Sequence, residues 1–369
     1  MFTYYASFAP GLQELTGDMI KKRLPDAVIQ KLLDGAVVFT TDCSYDKLNL
    51  FCFNNIFAVI DIDQSRGITA EAHIKRVCTG SGRDSADEVI AKNNKKITSF
   101  RLVCSEENQP IAVSEKIRQI AEKYIARISG LSVNRLNPDT EFWFLYRSEE
   151  ANESSGLNSH RSFSIFMKRL TRHQSWDKML HAGELPPPFA YSLCALAELN
   201  HTDTVLDPFC GYGSIPYQAL RHFPVQQFYA ADKNAEAVDF TKDKLKGIDT
   251  KRFSVRRCAI ESLIPENIAL KNPAEHSISK IITDPPWGAY EQTAVPIGLF
   301  YKTMLAVFAR LLKPDGTAII LTARNNELGD AVNAAAARQH NFNIQKMIPV
   351  LLSGKKAIIT ILKVTEPAL

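Results

Sequence analysis

The sequence predicts an α/β protein. Its back half should be a doubly wound, seven-stranded sheet with the last strand antiparallel, and its front half a separate α+β part. Three observations predict this. From Pro186 onward, short aliphatic or β-branched runs alternate regularly with stretches of helical period. The last two runs are joined only by the tight Ser353-Gly354-Lys355, so they should pair as a hairpin. Two strings about seventy residues apart, Val205-Leu-Asp-Pro-Phe-Cys-Gly-Tyr-Gly-Ser214 and Ile281-Ile-Thr-Asp-Pro-Pro-Trp-Gly288, each follow an aliphatic run where a buried parallel strand should stop.

In the front half, Phe2–Phe8 alternates as a strand and Pro10-Gly11 turns the chain. Leu12, Leu15, Met19 and Ile20 give a helix over Leu12–Leu24, and Ala36–Phe39 is a strand. Leu48–Phe53 and Ile56–Ile60 flank Asn54-Asn55 as two strands around a turn. Cys78–Asn94 mixes loop residues with a weak helix. Next come strand Ser99–Cys104, helix Ser114–Ile128 stopped at Gly130, and strand Glu141–Tyr146; Ser148–Gly156 is the expected exposed connection. In the back half, strands are expected at Thr204–Leu206, Phe228–Ala231, Phe253–Arg256, Lys280–Ile282, Thr317–Thr322, Phe342–Pro349 and Ala357–Val364. Helices should fall at Phe189–Leu199, Ser214–His222, Ala235–Leu245, Leu299–Leu312 and Glu327–Arg338.

At 369 residues, 45% hydrophobic and 23% charged, the composition is that of a soluble protein with two or three domains. No apolar run approaches the ~18 residues of a membrane helix. The start lacks the basic and apolar parts of a secretory signal. Seven cysteines without a Cys-x-x-Cys spacing argue for reduced thiols and against zinc, so a cytoplasmic protein without a metal site is expected. Between His160 and His181, Arg161, Lys168, Arg169, Arg172 and Lys178 face the single acid Asp177, which matches the whole net charge of +4. With Phe163, Phe166 and Trp176 interleaved, this stretch reads equally as a phosphate-contacting segment or as a solvated helix face between domains.

In an open α/β sheet, ligands lie outside the carboxyl ends of the strands where the strand order reverses. The turn Asp207-Pro208-Phe209-Cys210-Gly211-Tyr212-Gly213 leaves the first strand of such a sheet. Gly211 and Gly213 permit positive φ and close backbone approach, and Ser214 opens a helix whose free N–H groups attract a carboxylate. Pro216 stands where a dinucleotide fingerprint has its third glycine, which counts against a nicotinamide or flavin cofactor. Asp232, closing the second strand, could accept from both ribose hydroxyls of an adenosyl group; its alternative role is a cap for the next helix. Cys210 reads as a packing residue rather than a nucleophile.

Asp284-Pro285-Pro286-Trp287 follows the fourth strand, where a transferable methyl group should point. An exocyclic base amine is a weak nucleophile because its lone pair is delocalised. The Asp284 carboxylate and the Pro285 carbonyl can hold its two hydrogens and turn the lone pair toward an electrophilic carbon. The prolines fix these acceptors in place beforehand. Such positioning supplies ~7–11 kcal/mol. Trp287 would stack on the base, worth roughly 1–3 kcal/mol. The alternative reading of this loop is a proline turn with a buried tryptophan.

On these residues the chain resembles the class I, S-adenosylmethionine-dependent RNA methyltransferases that carry an N-terminal THUMP domain. Asp207–Ile215 looks like that family's cofactor loop and Thr283–Gly288 like its catalytic loop. Gly183-Glu-Leu-Pro-Pro-Pro-Phe-Ala190 is similar to the segment that closes over the methionine end of the cofactor. Pro10–Leu15 and Leu33–Phe39 look like a ferredoxin-like lead-in, and Ser132–Phe142 like the end of a THUMP domain. The resemblance implies a ferredoxin-like domain over 1–60, a THUMP-like RNA-binding domain over 61–150, a basic linker over 151–184 and a Rossmann-like methyltransferase domain over 185–369.

The resemblance further implies a methyltransferase acting on the N2 of a guanosine in tRNA; a monomer is expected, though the residues do not fix the oligomeric state. Asp284, Pro285, Pro286 and Trp287 would be the catalytic residues. Cofactor contacts would come from Leu185, Asp207, Pro208, Phe209, Cys210, Gly211, Gly213, Ser214, Asp232, Lys233, Cys258 and Ala259, and RNA contacts from Lys168, Arg169 and Arg172. The sequence departs from the family at Cys258-Ala259, where an acid usually holds the adenine amine, and at Gln218, where Glu is commoner. The competing readings are an rRNA guanosine-N2 or DNA adenine-N6 methyltransferase, or an RNA-binding maturation protein that has lost catalysis.

Overall fold

The computed structural model describes residues 1–65, 68–80, 84–91, 96–107, 109–149, 161–171, 180–263, 275–288, 295–336 and 342–364. The chain divides into two units, one of residues 1–7 and 17–174, the other of 8–16 and 175–369. Among the described residues, no helix is long and apolar enough to cross a membrane.

In the first unit the strands are β1 (Phe2–Ser7), β2 (Val28–Leu33), β3 (Ala36–Thr41), β4 (Asn55–Asp63), β5 (Ser99–Glu106), β6 (Gln109–Pro110), β7 (Ser132–Val133), β8 (Thr140–Glu149) and β9 (Arg161–Arg169). They form one sheet in the order β2-β3-β1-β4-β9-β8-β5-β6, with β7 beside β5. Helix α1 (Gln13–Arg23) follows β1; α2 (Ala70–Thr79), α3 (Asp84–Ala91) and α4 (Glu115–Ser129) follow in order. The helical period of α4 buries Ile117, Ala121, Tyr124 and Ile125, and Gly130 ends it in the left-handed region at φ 71°. These residues pack with Phe100, Phe142, Phe144 and Phe166 on one face of the sheet; Tyr5, Phe57, Leu145, Phe163, Ile165 and Met167 form the core of the other.

Three expectations change in this unit. Leu48–Phe53 is not a strand: a short 3-10 turn, Tyr45–Lys47, precedes it and Asn49 takes φ 46°, which breaks an extended run. Leu48, Leu50, Cys52 and Phe53 are nonetheless buried, so their alternation reflects burial without pairing. The edge strand β2 was not expected, because Val28 and Leu32 face solvent. Within the segment expected to be a basic linker, Arg161–Arg169 is instead a central strand, pairing β4 on one side and β8 on the other. A single sheet thus runs through both segments expected as separate front domains.

The second unit follows the expected alternation closely. Strands β10 (Thr204–Asp207), β11 (Gln227–Asp232), β12 (Phe253–Arg257), β13 (Ile278–Thr283), β14 (Leu312–Thr322), β15 (Phe342–Leu352) and β16 (Lys355–Val364) are ordered β12-β11-β10-β13-β14-β16-β15. The first five are parallel, and β16 runs antiparallel to both β14 and β15. The helices are α5 (Pro187–Leu196), α6 (Ser214–His222), α7 (Ala235–Lys244), α8 (Ile297–Leu311) and α9 (Asn325–Ala336). On α8, Tyr301, Met304, Leu305, Phe308 and Leu311 are fully buried against the sheet, and burying each such side chain stabilises by roughly 1.5–3 kcal/mol. Residues 8–16 belong to this unit, where the Leu351 N–H donates to the Pro10 carbonyl at 3.3 Å.

Candidate active site

Strand order reverses between β10 and β13, which lie side by side with Leu206 opposite Ile281. The two strings singled out in the sequence leave the carboxyl ends of these neighbours. A hydrogen bond joins them: Thr283 Oγ1 donates to Asp207 Oδ1 at 2.8 Å. The same oxygen accepts the Phe209 N–H at 3.2 Å, which shapes the turn. Asp207 is 1% exposed, and burial pushes its carboxyl up to about 7. Its Oδ2 is buried with no partner among the described residues. Asp207 therefore sets the register of two loops, with no surface left to meet a ligand.

The two glycines of the turn do different work. Gly211 sits at φ 47° with nothing within 4 Å of where a Cβ would be, so the space before it is open. Gly213 sits at φ 82°, and a Cβ there would lie 2.8 Å from Thr241 Oγ1. That hydroxyl donates to the Gly211 carbonyl at 2.8 Å, so α7 holds the turn in shape. Pro208 and Cys210 are buried, and burial raises the Cys210 thiol well above its usual range, as a packing role requires. Phe209 packs on Phe300, ring centroids 5.5 Å apart.

At the end of β11, Asp232 Oδ2 accepts the Gly211 N–H at 2.9 Å and Oδ1 accepts the Asn234 N–H at 2.8 Å. The cap of α7 is Asn234, whose side chain accepts from the Glu236 N–H, so the alternative role for Asp232 falls away. Lys233 is exposed. Beside it at the end of β12, the Cys258 N–H donates to the Asp232 carbonyl at 2.9 Å and Ala259 is partly exposed.

The segment before α5 closes on the start of α6. Ser214 Oγ donates to the Leu185 carbonyl at 2.8 Å and lies 3.2 Å from Glu184 Oε1. The Glu184 side chain is 4% exposed and ion-paired to Lys244. His181 stacks on Tyr212 at 4.0 Å between centroids, and Phe240 meets both rings edge-on. Glu184 was within the string noted in the sequence, but nothing there marked its carboxylate as the buried partner of Ser214 and Lys244.

In the loop after β13, Asp284 is partly exposed and Pro285 buried. The Trp287 indole N–H donates to Asp284 Oδ1 at 2.8 Å. The Trp287 carbonyl in turn accepts from Arg324, which leaves the end of β14. Arg324 lies where ligand-facing residues of an α/β sheet are found, at a strand's carboxyl end; only that placement could have pointed to it.

The residues expected to contact RNA do not gather at a surface. Lys168 and Arg169 are 4% and 8% exposed on central strand β9. The Lys168 ammonium lies 5.7 Å from the Phe142 ring centroid, and burial pulls its pKa down to about 8. Arg169 is paired with the buried Glu141 at 2.7 Å. These two charges are interior groups, a correction to their expected role; Arg172 falls outside the described residues.

Residues 174–348 match the family model UPF0020, the RMKL-like methyltransferase domain. These residues are therefore similar to an RMKL-like methyltransferase domain, and both loops lie within them. Among curated proteins, it is 30% identical over 311 residues to the U6 snRNA (guanine-N(2))-methyltransferase THUMPD2 of Bos taurus, covering 84% of this chain and 54% of that one. It is 26% identical over 252 residues to the tRNA (guanine(6)-N2)-methyltransferase of Thermus thermophilus, covering 66% of this chain and 67% of that one. The chain thus spans about half the length of the bovine relative. The crystal structure of TrmN from Thermus thermophilus superposes with a TM-score of 0.74 at 19% identity, covering 99% of this chain and 100% of that one, so the fold is shared along the whole length. Strands β10 to β14 of the second sheet lie within the matched residues, and the antiparallel β16 lies beyond them.

Proposed function

We propose that this chain transfers a methyl group from S-adenosylmethionine to the exocyclic N2 of a guanosine in RNA, with tRNA as the expected substrate. The observation that carries this reading is the pairing of the two loops at the switch point: the open glycine turn and the Asp-Pro-Pro-Trp loop leave adjacent strands and are bonded through Thr283 and Asp207. The named activities of the two relatives support guanine N2 as the acceptor.

The donor set suits the cofactor. The open space before Gly211 admits its bulk, and the amino end of α6 favours its carboxylate. Each oxygen of Asp232 already accepts one backbone N–H and keeps a second acceptor site for a ribose hydroxyl. Leu185 and the Glu184–Ser214 contact hold the segment over the methionine end. The cofactor supplies a methyl group on a cationic sulfur. Asp284 and the Pro285 carbonyl accept the two amine hydrogens and direct the nitrogen lone pair, and the Trp287 ring stacks on the base. Asp284 or water would take the proton that the amine gives up when the methyl group is transferred. The first unit is read as the part that holds the RNA, as in the THUMP-bearing family.

The test is incubation of the purified protein with S-adenosylmethionine and, in separate arms, tRNA, rRNA, U6 small nuclear RNA and duplex DNA, followed by nucleoside analysis. N2-methylguanosine in an RNA arm supports the reading. N6-methyladenosine, or its deoxy form in DNA, overturns it, as does an absence of product in every arm.

A further inference from the structure

Asp284 is held from three positions away and, through that residue, from the next strand. Its Oδ1 accepts the Trp287 indole N–H at 2.8 Å. Arg324 Nε donates to the carbonyl of the same Trp287 at 2.5 Å. Arg324 is itself anchored, since its backbone N–H donates to Thr322 Oγ1 at 2.9 Å. That hydroxyl lies 2.6 Å from the buried Tyr301 oxygen, which donates to the Pro286 carbonyl at 3.5 Å. Both carbonyls that follow Pro285 in the loop are therefore gripped by side chains from α8 and from the end of β14.

We propose that Trp287 and Arg324 are positioning residues for Asp284: Arg324 fixes the Trp287 backbone, and the indole N–H fixes the plane of the carboxylate that receives the guanosine amine. The inference rests on the proposed function. The physical reason is that the terminal torsion of an aspartate is soft and two-fold. A carboxylate with one oxygen tied to a rigid donor presents its remaining lone pairs in a single direction. An indole donates only through that N–H, so a phenylalanine offers the same stacking face without the grip. This assigns Trp287 a second task that an aromatic ring alone does not perform.

The experiment separates ring from donor. Trp287 is replaced by 3-benzothienylalanine, which keeps the bicyclic shape and puts sulfur in place of N–H, and separately by Ala. Arg324 is replaced by Met, which donates nothing, and by Gln, whose amide can reach toward the same carbonyl. With RNA and S-adenosylmethionine, the benzothienyl variant should lose at least about tenfold in kcat, the value of one charge-assisted hydrogen bond. Its KM for RNA and its affinity for S-adenosylmethionine should stay within about twofold. Trp287→Ala should lose in both kcat and KM. Arg324→Met should reproduce the kcat loss, and Arg324→Gln should restore part of it. A benzothienyl variant with full kcat, or one that loses only through KM, overturns the proposal.

A second measurement needs no turnover. In protein labelled with 15N-tryptophan, the Trp287 indole resonance, assigned by its absence in Trp287→Phe, should move in Asp284→Ala and in Arg324→Met. A resonance unmoved by either change overturns the proposal whatever the activity. An absence of N2-methylguanosine from the wild-type protein refutes the proposed function alone.

Discussion

Replacing Asp207 by asparagine should stabilise the protein above pH 7 and lose that advantage in acid. Burial raises this carboxyl from 3.8 to about 7. An unfolded chain releases the proton near pH 4, while the folded protein keeps it until about pH 7. Between those values the unfolded state binds fewer protons, so wild-type stability falls as pH rises and levels off above pH 7. From pH 5 to pH 8 the loss covers about two pH units at 1.36 kcal/mol each, or about 3 kcal/mol. An asparagine Oδ1 can still accept from Thr283 and the Phe209 N–H. Its amide nitrogen would replace Oδ2, already without a partner among the described residues, at a cost that does not vary with pH. Thermal unfolding of both proteins at pH 5 and pH 8 measures the effect. The melting-temperature difference between variant and wild type should grow by roughly 6–12 °C in favour of the variant at pH 8. A difference that is equal at the two pH values refutes the reasoning, because it would mean that Asp207 titrates as an ordinary surface acid.

Four further outcomes follow from the geometry. Gly211→Ala should fold, losing about 1 kcal/mol to its positive φ and S-adenosylmethionine affinity to the methyl group in the open space; calorimetry and melting curves read the two effects. Gly213→Ala, whose Cβ would meet Thr241 Oγ1 at 2.8 Å, should lose stability first, seen as a lower melting temperature without any ligand present. Lys168→Met should stabilise the fold at pH 7 by roughly 3 kcal/mol and leave RNA affinity unchanged. The folded Lys168 pKa of about 8 lies below the unfolded value of 10.5, so the wild type regains stability as pH rises through 8 toward 10.5 and the gap closes there. Asp284→Ala should abolish methyl transfer while calorimetry still detects cofactor binding.

The second unit was legible in the sequence because its inner strands, such as β10 and β13, are largely buried, and helices such as α7 carry a capping residue at their start. Ser214–His222 and its neighbours fell where the pattern put them. Leu312–Thr322 began earlier than expected because Lys313, Asp315 and Gly316 hid its start. Strand β9 was hidden for a different reason. Arg161, Lys168 and Arg169 make it look solvated, and the neutralising group for Arg169 is Glu141, distant in sequence. A local reading of charge cannot see a partner supplied by tertiary pairing. At the site, residue types and spacing identified both loops, because their chemistry needs particular side chains in consecutive positions. The bonds that hold those loops (Thr283 to Asp207, Trp287 to Asp284, Arg324 to Trp287) depend on which strands become neighbours, and only the folded sheet supplies that.

The central place of β9 has a consequence for how the first unit is made. Strands β4 and β8 flank it, and its partners on β4 lie more than a hundred positions earlier in the chain. During synthesis, the gap between them stays unfilled, with two rows of backbone groups exposed, until residue 169 has left the ribosome. Loop closure over that span makes completion slow. A fragment cut at residue 150 would keep most of the helices and strands yet expose a raw seam on both sides, and it should aggregate where one ending after residue 171 does not.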